Sequence, residues 1–242
     1  MNFFAKTGAV CALALFAAAG SAQIDSSYSE DFEGLDQSSP TALSDSGWLV
    51  GANVFDSTGA NFLYNYFAFP APNGSGAFSN VADGQGGAAQ GAQQLVTFND
   101  YGNGDHGNGS GNRIEANFFR EWTVGPADVG TWTFTFDAKQ GDIAGNSTAA
   151  GFIKVLDPGA GFALTDFATA DTTAVGTLWN GYSINVDIDA GQVGQLFQIG
   201  FLNVASNFEA SGVFYDNLNL VPTPGTAGML CIAGLAATRR RR

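Results

Sequence analysis

The chain has 242 residues, 33 of them glycine, and its 22 acidic residues outnumber nine basic ones to give a formal net charge of −13. Five of the cations lie near the termini, so the segment between Asp25 and Asp216 holds four cations against all 22 acids, a net charge of −18. Such a surface repels phosphate backbones and anionic headgroups, which excludes nucleic acid as a partner and argues against docking on anionic lipid.

Residues 1–22 have the composition of a secretory signal peptide. Lys6 supplies a positive start, the run from Ala9 to Ala19 is apolar and uncharged, and Gly20-Ser21-Ala22 places small residues before a cleavage site expected at Gln23. A buried first helix is the alternative, but nothing polar marks one face of the run. We therefore expect export and a mature domain over residues 23–220.

The first half of this domain predicts short strands separated by glycine-rich loops. The loops are Gly74 to Gly91 and Asn99 to Asn112, and Phe32 is expected to face inward from an opening strand. The strands predicted here cover 29–35, 48–50, 62–69, 95–99 and 114–122.

The second half alternates more strictly. Trp132, Phe134 and Phe136 are expected to point into a core, with threonines between them facing outward. Further strands are predicted at 152–156, 182–189, 196–204 and 213–220. No stretch has a helical period over a dozen residues, so about nine or ten strands indicate one antiparallel β-sandwich or barrel.

The two cysteines, Cys11 and Cys231, both lie outside the predicted domain. No disulfide can therefore staple it, and a core built from roughly 200 residues must suffice. The same absence removes thiolate metal sites and cysteine nucleophiles from consideration.

The C-terminal segment, 221–242, has a different composition. Val221, Pro222, Thr223 and Pro224 are expected to end the preceding strand, because proline lacks the ladder donor. The uncharged run from Gly225 to Thr238 is shorter than the ~20 residues of an untilted membrane span. Four arginines close the chain: Arg239, Arg240, Arg241 and Arg242.

This ending resembles the PEP-CTERM sorting signal of Gram-negative bacteria, with Thr223 standing where that family usually has glutamate. The resemblance implies export, transient membrane anchoring, recognition by a C-terminal sorting machinery, cleavage near the motif, and delivery to the cell surface or an exopolysaccharide matrix. A simple C-terminal membrane anchor is the alternative, and it gives the same compartment.

Three short motifs of the domain resemble carbohydrate-binding modules of the jelly-roll type. They are Glu30-Asp31-Phe32-Glu33, the segment from Gly130 to Lys139, and Phe214-Tyr215-Asp216-Asn217-Leu218. The resemblance implies an antiparallel jelly-roll β-sandwich. It also implies a structural calcium ion that joins the first strand to the last, at Asp31 or Glu33 and at Asp216.

Asp216 supports that expectation by its position. In a regular strand it shares a face with Phe214 and Leu218, the face expected to point into the core, where a carboxylate requires a partner. With only four cations in the domain, a structural Ca²⁺ is one such partner. The alternative is that Asp216 caps a turn or accepts backbone amide protons.

Aromatic rings are the expected sugar contacts, because sugars stack their C–H faces on exposed rings. Core or rim packing is the alternative for each ring. The candidate rings are Trp48, Tyr64, Tyr66, Trp179 and Tyr182.

Catalytic and further metal motifs are weak. The loop from Asn99 to Asn108 lacks the closing glutamate of an EF-hand, and His106 is the single histidine of the chain. Asp187 and Asp189 share a strand face like a glycosidase pair, but both are expected on the solvent side. No catalytic residue is therefore predicted.

These observations predict an exported, non-enzymatic β-sandwich protein of the cell surface or matrix that associates with polysaccharide. The alternatives are a purely structural surface protein without a glycan ligand, or a glycoside hydrolase.

Overall fold

The alternating pattern of the sequence produces twelve strands in the part of the chain that the structure describes, residues 24, 27–68, 78–99, 111–206 and 209–223. The structure is a computed structural model. The predicted signal peptide, the loop containing His106 and the segment from Pro224 onward lie outside the described residues. Both cysteines lie outside them as well.

The first six strands are β1 (Tyr28–Glu30), β2 (Leu49–Phe55), β3 (Phe62–Ala68), β4 (Ser79–Asp83), β5 (Gln93–Thr97) and β6 (Arg113–Thr123). The next six are β7 (Gly130–Ile143), β8 (Thr148–Asp157), β9 (Ala163–Asp171), β10 (Asn180–Ile188), β11 (Leu196–Ser206) and β12 (Ser211–Pro222). A single α-helical turn, α1 (Ala42–Asp45), precedes β2. No helix in the described part of the chain has the length and apolar character that a membrane crossing requires.

The strands form two antiparallel sheets of six, which confirms the predicted antiparallel jelly-roll β-sandwich. Sheet A has the order β3-β2-β6-β11-β8-β9. Sheet B has the order β10-β7-β12-β5-β4, and β1 also pairs with β12. Tyr28 of β1 lies opposite Leu220, so the two ends of the described chain meet at one end of sheet B.

The core lies between the sheets and is rich in aromatic rings. Trp132, Phe134 and Phe136 of β7 are buried, as predicted. Phe201 of β11 stacks on Tyr215 of β12 with ring centroids 3.6 Å apart, which joins the two sheets at their centre. These rings provide the burial that a domain without disulfides requires.

The last strand differs from its prediction at Asp216. A register shift separates Asp216 from Asn219, and Asn217 has a φ of 51°. This bulge shifts the alternation, so Tyr215 faces the core before it and Leu218 after it; of the predicted set, Leu218 does face the core and Phe214 does not. Asp216 lies opposite Asp137 of β7 and points away from the core with it. The prediction that Asp216 shares a core-facing set with Phe214 is therefore wrong.

β12 also continues further than predicted, through Val221 and Pro222. Thr223 donates its backbone N–H to the carbonyl of Thr131 at 2.7 Å. The missing N–H of Pro222 therefore falls on the other side of β12, beyond Leu220, which lies opposite the first residue of β1. A proline at that position therefore removes no bond of the β7–β12 ladder.

One strand boundary and two whole strands also differ from the prediction. The opening strand ends at Glu30, and Phe32 is buried from a turn with a φ of 59°. The predicted loop 74–91 contains β4, in which Ser79 and Val81 are buried. β9 was not predicted, because its alternation is carried mainly by alanine and threonine.

Candidate functional site

A carboxylate cluster lies where β12 passes the turn that follows β1. It consists of Asp31 and Glu33 from the turn, Asp137 from β7 and Asp216 from β12. The Asp216 side chain is fully buried, and the other three acids all act on its charge. The cluster therefore lies between the turn after the first strand and the last strand, which is where the resemblance implies a calcium ion.

The turn after β1 is fixed by its own carboxylates. Glu33 Oε1 accepts the backbone N–H groups of Ala92 at 2.7 Å and Gln93 at 2.6 Å. Asp31 Oδ1 accepts the backbone N–H of Glu33 at 3.2 Å. Glu33 thus ties this turn to the start of β5.

Asp137 and Asp216 differ in their partners. Asp137 Oδ2 accepts amide protons from Gln90 and Asn217, each at 2.9 Å. Asp216 Oδ1 accepts the backbone N–H of Asn217 at 2.6 Å. The second oxygen, Asp216 Oδ2, is buried and has no hydrogen-bond partner among the described residues.

Burial raises the pKa of Asp216 to about 7. The N–H of Asn217 opposes that rise, while the negative charges of Glu33, Asp31 and Asp137 add to it. At neutral pH the ionised form of Asp216 is therefore costly unless a cation accompanies it.

The atoms of the cluster that could bind a metal ion are carboxylate oxygens, the ligands that Ca²⁺ prefers. No three His, Cys, Asp or Glu side chains in the described segments converge closely enough to hold a metal ion by themselves. Asp216 Oδ2 is the atom that fits a cation, since it is buried and has no other partner. A bound ion would require backbone carbonyls or further side-chain movement to complete its shell.

Segment 85–92 lies on the outer face of sheet B beside this cluster. The backbone carbonyl of Gln85 accepts hydrogen bonds from the Lys139 ammonium and from the indole N–H of Trp179, both at 3.0 Å. Further along the segment, the carbonyl of Ala89 accepts a hydrogen bond from the side-chain amide of Asn217 at 3.0 Å. The protein's own chain thus occupies this part of sheet B.

Two of the predicted sugar-stacking rings are packed against the core. Trp48 is fully buried and stacks on Phe118 with centroids 4.5 Å apart, so the prediction that it contacts sugar is wrong. Tyr66 shares a face with Tyr64, as predicted for a strand, but it packs edge-on against buried Phe78 at 5.9 Å.

The other three rings do not form one surface. Tyr182 is half-buried and stacks on Phe136 at 5.5 Å. Trp179 is half-buried against segment 85–92, and Tyr64 is 38% exposed. Tyr64 belongs to edge strand β3 of sheet A and Trp179 precedes edge strand β10 of sheet B, so the two rings lie at different edges.

The outer face of sheet A carries a polar network that the sequence did not single out. The Lys154 ammonium donates to Asn117 Oδ1 at 2.6 Å and lies 3.7 Å from Glu115 Oε1. Asn53 and Asn117 donate their amides to the same glutamate oxygen at 3.2 and 3.1 Å. We call these four residues the Glu115–Lys154 network.

The charges of this network stabilise each other. Burial alone would raise the pKa of Glu115, but the Lys154 charge and the hydrogen bonds from Asn117 and Asn53 outweigh it, and the pKa lies below its usual value. Burial lowers the pKa of Lys154, and Glu115 opposes that shift. Asn53 Oδ1 remains buried without a hydrogen-bond partner among the described residues.

Apolar side chains surround the network. Phe119, Ala150, Phe152 and Leu202 form a small cluster on this outer face, separate from the main core. The Lys154 ammonium lies 4.4 Å from the ring centre of Phe152 and 5.4 Å from that of Phe167. Phe167, on β9, is 44% exposed. An exposed ring therefore lies beside acceptors and donors that could bind sugar hydroxyls.

One sequence signal could have indicated this face. Lys154 interrupts the apolar run from Ala149 to Leu156 in β8, and it is one of only four cations between Asp25 and Asp216. A rare charge within a buried strand requires a counter-charge nearby. The partner Glu115 lies two strands away, beyond β11, so spacing along the chain gave no indication of it.

The two carboxylates that share a strand face like a glycosidase pair each accept a hydrogen bond. Asp187 accepts the Thr131 hydroxyl at 2.5 Å, and Asp189 accepts the backbone N–H of Gly191 at 2.7 Å. Both carboxylates are exposed, as predicted.

No family model and no curated protein match the chain. Similar solved structures include one of carbohydrate-binding modules from the β-sandwich superfamily, 13% identical over 78% of this chain and 61% of that chain, with a TM-score of 0.44. The family 11 carbohydrate-binding module of the Clostridium thermocellum cellulase Lic26A-Cel5E is 11% identical over 80% of this chain and 92% of that chain, with a TM-score of 0.40.

The enzymatically active domain of bacteriophage CBA120 tailspike protein 4 is 16% identical over 78% of this chain and 21% of that chain, with a TM-score of 0.45. The protein therefore spans less than two thirds of the length of the tailspike chain and of the superfamily structure.

Proposed function

We propose that this protein is an exported, non-enzymatic surface or matrix protein that binds polysaccharide on the outer face of sheet A. The observation that carries the proposal is the Glu115–Lys154 network beside the exposed ring of Phe167. Asn53 Oδ1 is a buried acceptor without a partner, which a sugar hydroxyl would satisfy. The ring would stack on a sugar face while the network binds hydroxyls.

Charge indicates the class of glycan. Lys154 is already neutralised by Glu115, and a second acid, Glu121, lies on the same strand face, where burial raises its pKa. The domain around this face carries a large excess of acids. Repulsion would therefore disfavour uronic acid polymers, and we propose a neutral polysaccharide as the ligand.

The binding experiment is affinity gel electrophoresis with neutral glucans, galactans, mannans and xylans, and with an acidic polysaccharide for comparison. We expect retardation by at least one neutral polymer. Phe167→Ala should weaken it by about tenfold or more, ~1.4 kcal/mol, because the stacking ring is lost. Leu178→Ala removes a residue that is 78% exposed elsewhere and should change nothing.

The second candidate, a structural protein without a glycan ligand, predicts the opposite result. If no neutral polymer retards the protein, with calcium present, the glycan proposal is wrong. If a polymer binds but Phe167→Ala and Leu178→Ala bind equally, the ligand lies on another surface.

We further propose a structural Ca²⁺ at the carboxylate cluster, held by Asp216 with Asp31 or Glu33. The buried, unpartnered Asp216 Oδ2 supports it. The ion would neutralise this carboxylate and fasten the turn after β1 to β12. Its role would be stability, since a ligand that binds only the folded state raises the free energy of unfolding.

Thermal melting with calcium and with chelator checks this site. We expect calcium to raise the melting temperature of the native chain by several degrees and Asp216→Asn to abolish the increase. Asp187→Asn, an exposed acid on the same sheet, is the matched control and should retain it. A chelator-insensitive melting temperature would exclude the ion.

The address of the protein is part of the same proposal. Export rests on the pattern of residues 1–22, and transient anchoring with sorting to the cell surface or matrix rests on 221–242. Fractionation of cells expressing the tagged chain, with and without residues 221–242, tests it. Retention in the cytoplasm would contradict export.

A further inference from the structure

A pocket of about 390 Å³ opens at the rim of the sandwich, away from the sites described above. One wall is the β7–β8 connection, 143–147, and the other is the β9–β10 connection, 173–176, with Gln140 completing the lining. Its volume lies within the ~300–1,000 Å³ typical of small-molecule sites. None of its lining residues belongs to the Glu115–Lys154 network or to the carboxylate cluster.

The pocket is formed by hydrogen-bonded backbone. Gln140 donates its backbone N–H to Gly176 across the two walls at 2.9 Å. Within the walls, Ser147 donates to Ala144 at 3.2 Å and Val175 donates to Thr172 at 3.1 Å. A ligand would therefore meet walls that are already formed, which reduces the entropy cost of binding.

The lining keeps the space open because Ala144, Gly145, Ala174 and Gly176 have side chains too small to fill it. No lining residue carries a formal charge, although the domain is strongly acidic. The pocket therefore favours an uncharged ligand.

One polar group in this lining lacks a partner. Ser147 is 4% exposed, and its hydroxyl makes no hydrogen bond within the described part of the chain. Gln140 adds a half-buried amide, while Ile143 and Val175 add apolar surface. A buried hydroxyl without a partner costs stability that a ligand could restore.

We propose that this pocket binds a single neutral pyranose unit, independently of the outer face of sheet A. Its hydroxyls would pair with Ser147 and Gln140, and its C–H groups would contact Ile143 and Val175. Such a site recognises a chain end or a side branch, because the pocket has no aromatic platform along which a polymer could extend. The protein would then hold a glycan at two separate places.

The test is an NMR titration of the ¹⁵N-labelled full chain with the methyl glycosides of glucose, galactose, mannose and xylose. We expect at least one of them to shift the amide signals of Ser147, Val175 and Gly176. Ser147→Ala should weaken that binding by about tenfold, ~1.4 kcal/mol. It should leave the melting temperature of the free protein unchanged or raised, because no hydrogen bond is lost.

Two controls separate this site from the proposed polymer site. Ser183→Ala makes the same substitution on the exposed face of β10 and should change neither affinity nor stability. Phe167→Ala should leave the glycoside shifts intact even where polymer binding is lost. The proposal is overturned if no glycoside shifts the pocket amides, or if Ser147→Ala binds as tightly as the unaltered protein.

Discussion

Asp216 shows how one residue acquires its properties from its surroundings. A bulge turns it away from the core, but the turn after β1 still buries it beside other acids. An aspartate in an unfolded chain titrates near ~3.9, whereas burial raises the folded pKa to about 7. Between these pH values the folded protein binds one proton that the unfolded protein has lost.

Linkage then sets the sign of a pH effect on Asp216. Stability of the metal-free protein should be highest at the acidic end of this window and should fall as pH rises from ~4 toward 7. Urea unfolding in chelator at several pH values measures it. Asp216→Asn should flatten this contribution and raise stability above pH 7 by roughly 1–3 kcal/mol, the cost of an unsatisfied buried group.

Calcium provides the contrast, because a bound cation competes with the proton. With calcium present, the proposed site predicts that the fall between pH 4 and 7 is reduced or reversed. Asp187→Asn should behave like the unaltered protein throughout. An Asp216→Asn variant with the same pH profile as the unaltered protein would contradict the assignment.

The sequence identified Asp216 as important but placed it on the wrong face. Strand parity cannot reveal a bulge, which here depends on Asn217 adopting a positive φ under tertiary constraint. For Trp48 the sequence predicted an exposed sugar contact, whereas the ring is buried in the core. A tryptophan at the start of a strand has no pattern that distinguishes a sugar platform from a buried ring.

At the scale of elements, β6 and β11 approach unusually closely at Gly200. A Cβ added there would meet the backbone carbonyl of Phe118 and lie 2.8 Å from Phe119 Cα. Gly200 also separates Phe119 from Phe152 across the outer face of sheet A. The glycine is thus required by backbone spacing, and it leaves room for the apolar cluster beside the network.

We therefore expect Gly200→Ala to destabilise the protein by about 3 kcal/mol or more, since backbone atoms cannot move aside as a side chain does. Chemical denaturation measures the change. Gly34→Ala is the matched control, because a Cβ there meets nothing within 4 Å. Equal stability of the two variants would show that the strands separate easily at this point.

Most strands could be predicted from the sequence, and the reason is visible in β7. Its aromatic residues alternate with threonines, and this pattern matches one buried and one polar face. β4 and β9 were missed because small and polar residues carry little signal, although pairing with β5 and β8 holds them in place. Sheet order, which brings Glu115 to Lys154, has no local signature.

At the scale of the molecule, negative charges greatly outnumber positive ones. Lys154–Glu115 is the single ion pair found in the described segments, so most acids there have no cationic partner. Mutual repulsion among these acids favours expanded states over the folded one. The same repulsion keeps separate molecules apart and supports solubility.

Salt should therefore stabilise the folded domain. We expect the melting temperature in chelator to rise by several degrees between low salt and ~0.5 M sodium chloride, as screening shortens the range of repulsion. Replacing exposed Asp83, Asp142 and Asp187 together with asparagine should raise the low-salt value and reduce the salt response. A melting temperature independent of salt in both proteins would contradict this account.

The pairing of β1 with β12 has a mechanical consequence. Because Tyr28 lies opposite Leu220, the chain enters and leaves the sandwich side by side at one end. A pull that separates the two ends would peel β1 from β12 one bond at a time, and only three residues of β1 resist. A pull on the tail alone would load the long β7–β12 ladder along its length, where many bonds share the force. In the proposed arrangement, with the tail anchored and a polymer bound on sheet A, tension would therefore pass along the β7–β12 ladder.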